Sequence, residues 1–120
     1  ETRYAPTCLA YTSYMLRVAY EGSDAEILAV ITPCFWTYQD LGEVLKGSRG
    51  EEDPIIRLWI EAYTSSEYID LVSKLLYYLD SLAEEVSDAE RSRMLKHFRR
   101  ATWYELKFWD MSYRMEELLD

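Results

Sequence analysis

Cys34 follows a proline inside a stretch that otherwise reads as one helix, Ile31-Thr32-Pro33-Cys34-Phe35-Trp36-Thr37-Tyr38. A thiol is a nucleophile once ionised, and an inert small hydrophobe when it is simply packed away. Proline inside a helix removes a backbone hydrogen bond, clashes with the preceding turn and costs about 3 kcal/mol or more. The sequence therefore predicts a helix broken at Pro33, with carbonyls left free and space opened beside the Cys34 sulfur. Local violations of this kind collect at functional sites. A structural cysteine is the competing reading.

Glu105 is the second residue out of place. Stepping along the last helical segment by fours and threes gives Met94, Phe98, Ala101, Glu105, Phe108 and Ser112. A carboxylate stands in the middle of an otherwise apolar or small seam, and its neighbours Trp103, Tyr104, Phe108 and Trp109 bring no cation. Burying it unpaired is expensive, and such a group answers by a raised pKa. A carboxyl of that kind is a useful proton donor near neutral pH. Beside a thiol it makes a nucleophile and acid–base pair. Alternatively, Glu105 pairs with an arginine or reaches solvent through a small shift of register.

Aromatic residues add a third component. Tyr38 lies four residues after Cys34 and shares its helix face. Tyr11 falls on the stripe Tyr11, Met15, Val18, and Tyr63 ends the stripe Ile56, Trp59 or Ile60, Tyr63. Tyrosines at helical spacing are usually core. Eleven of them is still many for 120 residues, and each buried phenol needs a hydrogen-bond partner. A pocket for a flat polar heteroaromatic would satisfy several at once.

These residues need helices to position them, and the sequence supplies helices throughout. Pro6 suits a first turn, and a helix from about Thr7 to Glu21 ends at Gly22. Ser23-Asp24-Ala25-Glu26 is a capping box. The helix it opens carries one stripe, Ile27, Ile31, Cys34, Tyr38, Leu41 and Leu45. Gly47 to Glu52 reads as a polar loop. Asp53-Pro54 starts a short helix to about Tyr63. Thr64-Ser65-Ser66-Glu67 is a second capping box, opening a helix with Tyr68, Leu71, Leu75, Leu79 and Leu82 on one face. Ser87-Asp88-Ala89-Glu90 repeats the first box, and a last helix runs from about Asp88 to Leu118. No segment alternates with the period of a strand. The expected fold is all-α, an antiparallel helical bundle forming a single domain over residues 1–120.

Composition narrows the chemistry. The net charge is −9, which argues against nucleic acid and anionic membrane surfaces as partners. A basic cluster, Arg91, Arg93, Lys96, Arg99 and Arg100, reads as a solvated helix face. His97, the single histidine, lies on that face and is expected at the surface. Cys8 and Cys34 fit neither zinc spacing nor a CxxC redox motif. A reducing cytosol is the default compartment, and no metal or organic cofactor is expected. No apolar run approaches the roughly 20 residues of a membrane span. The start, ETRYAPTC, has neither the basic nor the apolar region of a signal peptide, and it lacks an initiator Met.

Four stretches taken together, AYTSYM, ITPCFWTY followed by Gly42-Glu43, LWIEAYTS and WYELKFWDMSYR, resemble the TenA family, also called thiaminase II. The resemblance runs through most of the chain in the same order. It implies a haem-oxygenase-like fold that binds no haem. It also implies hydrolysis of thiamin-derived aminopyrimidines, chiefly 4-amino-5-aminomethyl-2-methylpyrimidine, to the hydroxymethylpyrimidine and ammonia, together with cleavage of thiamin itself. By the same resemblance Cys34 matches the family's nucleophile and Glu105 its acidic catalyst. Tyr11, Tyr38 and Tyr63 match tyrosines that contact the substrate ring, and Phe108 matches a pocket phenylalanine. Some relatives carry glutamate in place of this cysteine; here the thiol is kept.

The resemblance covers only the C-terminal half, or slightly more, of the family's length. The upstream helices supply an aspartate and a further tyrosine to the family's pocket, and no residue here matches them. The expectation is a homo-oligomer, for which the resemblance suggests a tetramer, or a complementing N-terminal segment that closes the pocket. Without such a complement, the alternatives are a non-catalytic pyrimidine-binding module or a helical assembly module whose unpaired apolar faces bury one another.

Overall fold

The computed structural model describes residues 4–117 as five α-helices and one short 3-10 helix, with no strand among the described residues. The helices are α1 (Pro6–Glu21), α2 (Asp24–Leu45), α3 (Pro54–Tyr63), α4 (Ser66–Glu85) and α5 (Asp88–Arg114); the 3-10 helix is Arg49–Glu52. The all-α fold expected from the sequence is the one observed.

Caps fix most of the boundaries. Ser23 and Glu26 close a reciprocal capping box on α2: the Ser23 hydroxyl accepts from the Glu26 amide, and the Glu26 carboxylate accepts from the Ser23 amide. Asp53 Oδ1 accepts from the amides of Ile55 and Ile56 at the start of α3. At α4 the cap is Ser65, not Thr64, and its hydroxyl accepts from the Tyr68 amide. Thr64 instead ends α3 and donates its hydroxyl to the Ile60 carbonyl. Ser87 caps α5, but Glu90 does not complete the second half of that box, because its carboxylate accepts from the Ser23 hydroxyl across the α1–α2 corner. Helix α5 stops at Arg114, where Met115 turns left-handed at φ 53° and ψ 52°. The expected end at Leu118 lies outside the described residues.

The expected break at Pro33 is absent. Helix α2 runs unbroken through it. The missing amide leaves the Ala29 carbonyl without its usual donor, and the helix tolerates this because packing on both sides holds it in place. Pro33 and Thr32 are fully buried, and the Thr32 hydroxyl donates to the Leu28 carbonyl. The proline ring is thus a core contact, while its neighbour Cys34 turns to the outside.

Helix α2 is the axis of the molecule, packing on every other helix and most extensively on α5 and α4. Small residues permit the close crossing. Ala25 and Ala29 meet Met94 in one cluster, backed by Leu79, Leu82, Ala83 and Val86. Tyr11, Val18, Val30 and Ala101 form the other, backed by Tyr14, Met15, Ile27, Ile31 and Tyr104.

The assembly is a slab, 48 × 43 × 21 Å. Its radius of gyration, 16.2 Å, exceeds the roughly 14 Å of a compact domain of this length. Its accessible surface, 8595 Å², exceeds by about 1,800 Å² the area expected for a compact monomer of its mass. Part of the exposed surface is apolar: Leu95, Trp103, Leu106 and Trp109 are exposed on α5, whose opposite face contributes to the core. A contiguous apolar patch of this kind marks a surface that meets a partner.

One glycine sets a close approach. A Cβ on Gly42 would lie 3.1 Å from Thr64 Cγ2 and 3.2 Å from Tyr63 Cβ. Gly42→Val should therefore destabilise the fold by about 2 kcal/mol through overpacking and push Tyr63 outward. A thermal melt measures this, and an unchanged melting temperature would show that the α2–α3 corner yields freely.

Candidate active site

Glu105 is buried, at 4% exposure, on the inner side of α5. The Tyr11 hydroxyl, from α1, donates to its Oε1 at 2.7 Å. No arginine or lysine pairs with it among the described residues, so the alternatives of an arginine partner and of solvent exposure are not what the fold adopts. Burial first, then the hydrogen bond and the charge of Glu105, push the Tyr11 phenol far above the ordinary tyrosine range.

Cys34, on α2, stands at the rim of the same site. The residue is exposed and its thiol is free, as is that of Cys8. Packing on its inner side, followed by the charge of the nearby Glu105, pushes the thiol up to about 11. Near neutral pH Cys34 is therefore a protonated thiol, and it lies beside the Glu105 side chain.

Tyr38 lies next along α2. Burial, then the Glu105 charge, push its phenol up to about 12. Its ring packs on Tyr63 at 5.1 Å, on Trp59 at 5.9 Å and on Trp109 at 5.9 Å. Tyr63 in turn meets Tyr68 edge-on at 4.9 Å. The result is an aromatic wall from α2, α3, α4 and α5 beside the thiol and carboxylate. Glu105 also lines an open, mostly apolar groove of about 750 Å³ shared with Thr37, Trp59, Leu106 and Trp109.

The fold brings Cys34, Glu105, Tyr11, Tyr38 and Tyr63 into one neighbourhood. Phe108 is half-buried one turn beyond Glu105 on α5 and meets Trp109 edge-on at 6.4 Å. Sequence reasoning missed Tyr68, whose hydroxyl donates to the Phe35 carbonyl at 3.0 Å. Its place on the apolar face of α4, one turn from the cap, was the available signal. It also missed Trp59 and Trp109 as wall residues.

His97 is not a surface residue. It is half-buried, with Nδ1 2.6 Å from the Tyr14 hydroxyl and Nε2 3.3 Å from Glu26 Oε1. Arg93 stays exposed and donates to Glu26 Oε1 at 2.9 Å. That bond, the backbone amide of Ser23 and His97 outweigh burial and hold Glu26 below the ordinary carboxylate range. Among the described residues no group of three or more His, Cys, Asp or Glu side chains could hold a metal. No helix there is long and apolar enough to cross a membrane.

The chain matches the TENA/THI-4/PQQC family over residues 1–115. It belongs to that family. It is 41% identical over 110 residues to an aminopyrimidine aminohydrolase of Halalkalibacterium halodurans, covering 91% of this chain and 49% of that protein. Identity to an aminopyrimidine aminohydrolase of Bacillus subtilis is 37% over 113 residues, 93% of this chain and 47% of that protein. A TenA homologue from P. horikoshii superposes with a TM-score of 0.83 at 33% identity, over 95% of this chain and 52% of that one. The chain therefore spans about half the length of the relatives it matches.

The thiol is the most direct electrostatic probe of this site. In a Cys8→Ser background, the rate of alkylation by iodoacetamide should keep rising to about pH 11, since the raised thiol ionises only there. Glu105→Gln removes the negative charge and should bring the inflection down towards that of an ordinary thiol. An inflection unmoved by Glu105→Gln would mean that the carboxylate does not act on the sulfur.

Proposed function

We propose that this chain carries the nucleophile-bearing half of an aminopyrimidine aminohydrolase (thiaminase II), acting on 4-amino-5-aminomethyl-2-methylpyrimidine and on thiamin in thiamin salvage. The observation that carries the reading is the Cys34 thiol beside the buried Glu105 side chain, with Tyr11 bonded to Glu105 and the Tyr38–Tyr63 ring pair alongside. The names of the aligned relatives support the same activity.

The chemistry follows from the proton inventory. Cys34 passes its proton to Glu105 as its sulfur attacks the ring carbon beside a ring nitrogen, and a C–S bond forms. Glu105 then protonates that nitrogen or the departing amine. The electron pair moves towards the exocyclic CH2 group and its amine leaves as ammonia. Water adds at the CH2 group and gives up a proton. The C–S bond breaks, the sulfur recovers its proton, and the ring regains aromaticity. Substrate and water become hydroxymethyl product and ammonia, with the enzyme unchanged. One difficult substitution becomes two easier steps, and no metal or organic cofactor enters. The role of Tyr11 is to hold Glu105. Tyr38 and Tyr63 stack on and bond the ring, and Phe108 borders the pocket once the site is closed. A reducing, cytoplasmic compartment suits a mechanism that needs a free thiol.

Cys34→Ala, made in the complete protein, should abolish ammonia release while leaving helicity unchanged. Undiminished turnover would sink the proposal. The second reading, a pyrimidine-binding module without chemistry, is favoured by the open rim at Cys34; saturable binding in calorimetry without ammonia release is its signature.

The apolar outer face of α5 calls for a cover. We place there either a complementing N-terminal segment or further copies of the chain, with a homotetramer as the expected assembly. The isolated chain should associate, giving a light-scattering mass above 14.3 kDa. Leu106→Lys should bring that mass back towards the monomer without loss of helicity. A monomeric wild-type chain would contradict this.

A further inference from the structure

The Tyr11 ring does not stand alone. Tyr104 of α5 lies parallel to it, at 5.0 Å between centroids and 9° between planes. Tyr14 also packs against Tyr104, at 5.9 Å between centroids and tilted by 38°. The Tyr14 hydroxyl is bonded to His97 Nδ1, His97 Nε2 reaches Glu26, and Arg93 and the Ser23 amide hold Glu26 in place. A continuous series of contacts therefore runs from the capping box at the α1–α2 corner to the hydroxyl that bonds Glu105. Its members come from α1, α2 and α5, so it also locks the three helices in register.

None of the chemistry proposed above uses Tyr104, Tyr14, His97 or Glu26. The series nevertheless has one free parameter to fix. A phenol ring can turn and slide, and its oxygen must lie on one carboxylate oxygen of Glu105. Tyr11 comes from α1, a different helix from that of its acceptor. A parallel ring on α5, one residue before Glu105, removes that freedom because it ties Tyr11 to the same helix as its acceptor.

We infer that Tyr104, held in turn by Tyr14, His97 and Glu26, is a positioning residue that sets the Tyr11 hydroxyl on Glu105. It acts through the face of its ring rather than through its own hydroxyl, since Tyr11 is met plane to plane. For its effect on turnover this rests on the aminohydrolase reading; for its effect on Tyr11 it does not.

The experiment uses the complete protein, with tyrosine labelled by a heavy carbon isotope at Cζ and the Tyr11 resonance assigned by Tyr11→Phe. Tyr104→Phe keeps the stack and should leave the Tyr11 resonance in place, with kcat and KM for 4-amino-5-aminomethyl-2-methylpyrimidine within about twofold of wild type. Tyr104→Leu should shift the Tyr11 resonance and lower kcat on the order of tenfold with little change in KM, as expected for misplacement of a catalytic group. His97→Ala, remote from Glu105, should move the resonance in the same direction by less, and it decides the matter if Tyr104→Leu does not fold. Wild-type values throughout for Tyr104→Leu and His97→Ala would overturn the inference. So would equal damage from Tyr104→Phe and Tyr104→Leu. If the wild-type protein releases no ammonia, the aminohydrolase reading fails, and the Tyr11 resonance still tests the positioning.

Discussion

The bond between Tyr11 and the buried Glu105 constrains more of this molecule than any other. A carboxylate removed from water loses solvation worth several kcal/mol unless its oxygens find donors. Here one phenol from a helix 94 residues earlier provides the donor, at 2.7 Å. The requirement reaches outward. It sets the register of α1 against α5, because sliding α1 by one residue would turn Tyr11 through about 100° and carry it away. It also makes the ring of Tyr11 part of the core, beside Val18, Val30 and Ala101. The small residues at the α2–α5 crossing follow, since only a close approach brings Cys34 of α2 within the influence of Glu105.

Charge in this site moves between groups that burial has made reluctant to ionise. The thiol of Cys34 and the phenols of Tyr11, Tyr38 and Tyr68 are all raised, by burial first and by the negative charge of Glu105 among the further causes. A single carboxylate thus biases four weaker acids towards their protonated forms. That arrangement keeps the Cys34 thiol protonated, and so slow to react with electrophiles, near neutral pH.

The slab geometry explains how such a site can lie on a surface. Helix α5 contributes Met94, Ala101, Glu105 and Met111 to the interior and presents Leu95, Trp103, Leu106 and Trp109 on its other side. The chain belongs to the TENA/THI-4/PQQC family and spans about half the length of the relatives it matches. The polar cluster of Glu26, His97 and Arg93 anchors the layer at the end remote from the aromatic wall.

Local chemistry determined the elements. Caps at Ser23, Asp53 and Ser87, prolines in first turns, and unbroken helical periodicity were legible because each depends on residues within one turn of one another. The inward placement of Glu105 was legible too, as the wrong residue type in an apolar stripe. Two things were not. Pro33 was read as a break, yet its ring is fully buried and α2 continues through it, and no local rule weighs tertiary packing. His97 was read as a surface residue, because its partners Tyr14 and Glu26 lie more than 70 positions away. The sequence by itself determined which residues could do chemistry and which helix face each occupies, since both follow from side-chain type and the 3.6-residue repeat. Only the tertiary structure decided which faces meet, and hence that one carboxylate, one thiol and one phenol share a site, because that choice is made by close packing between residues far apart in the chain.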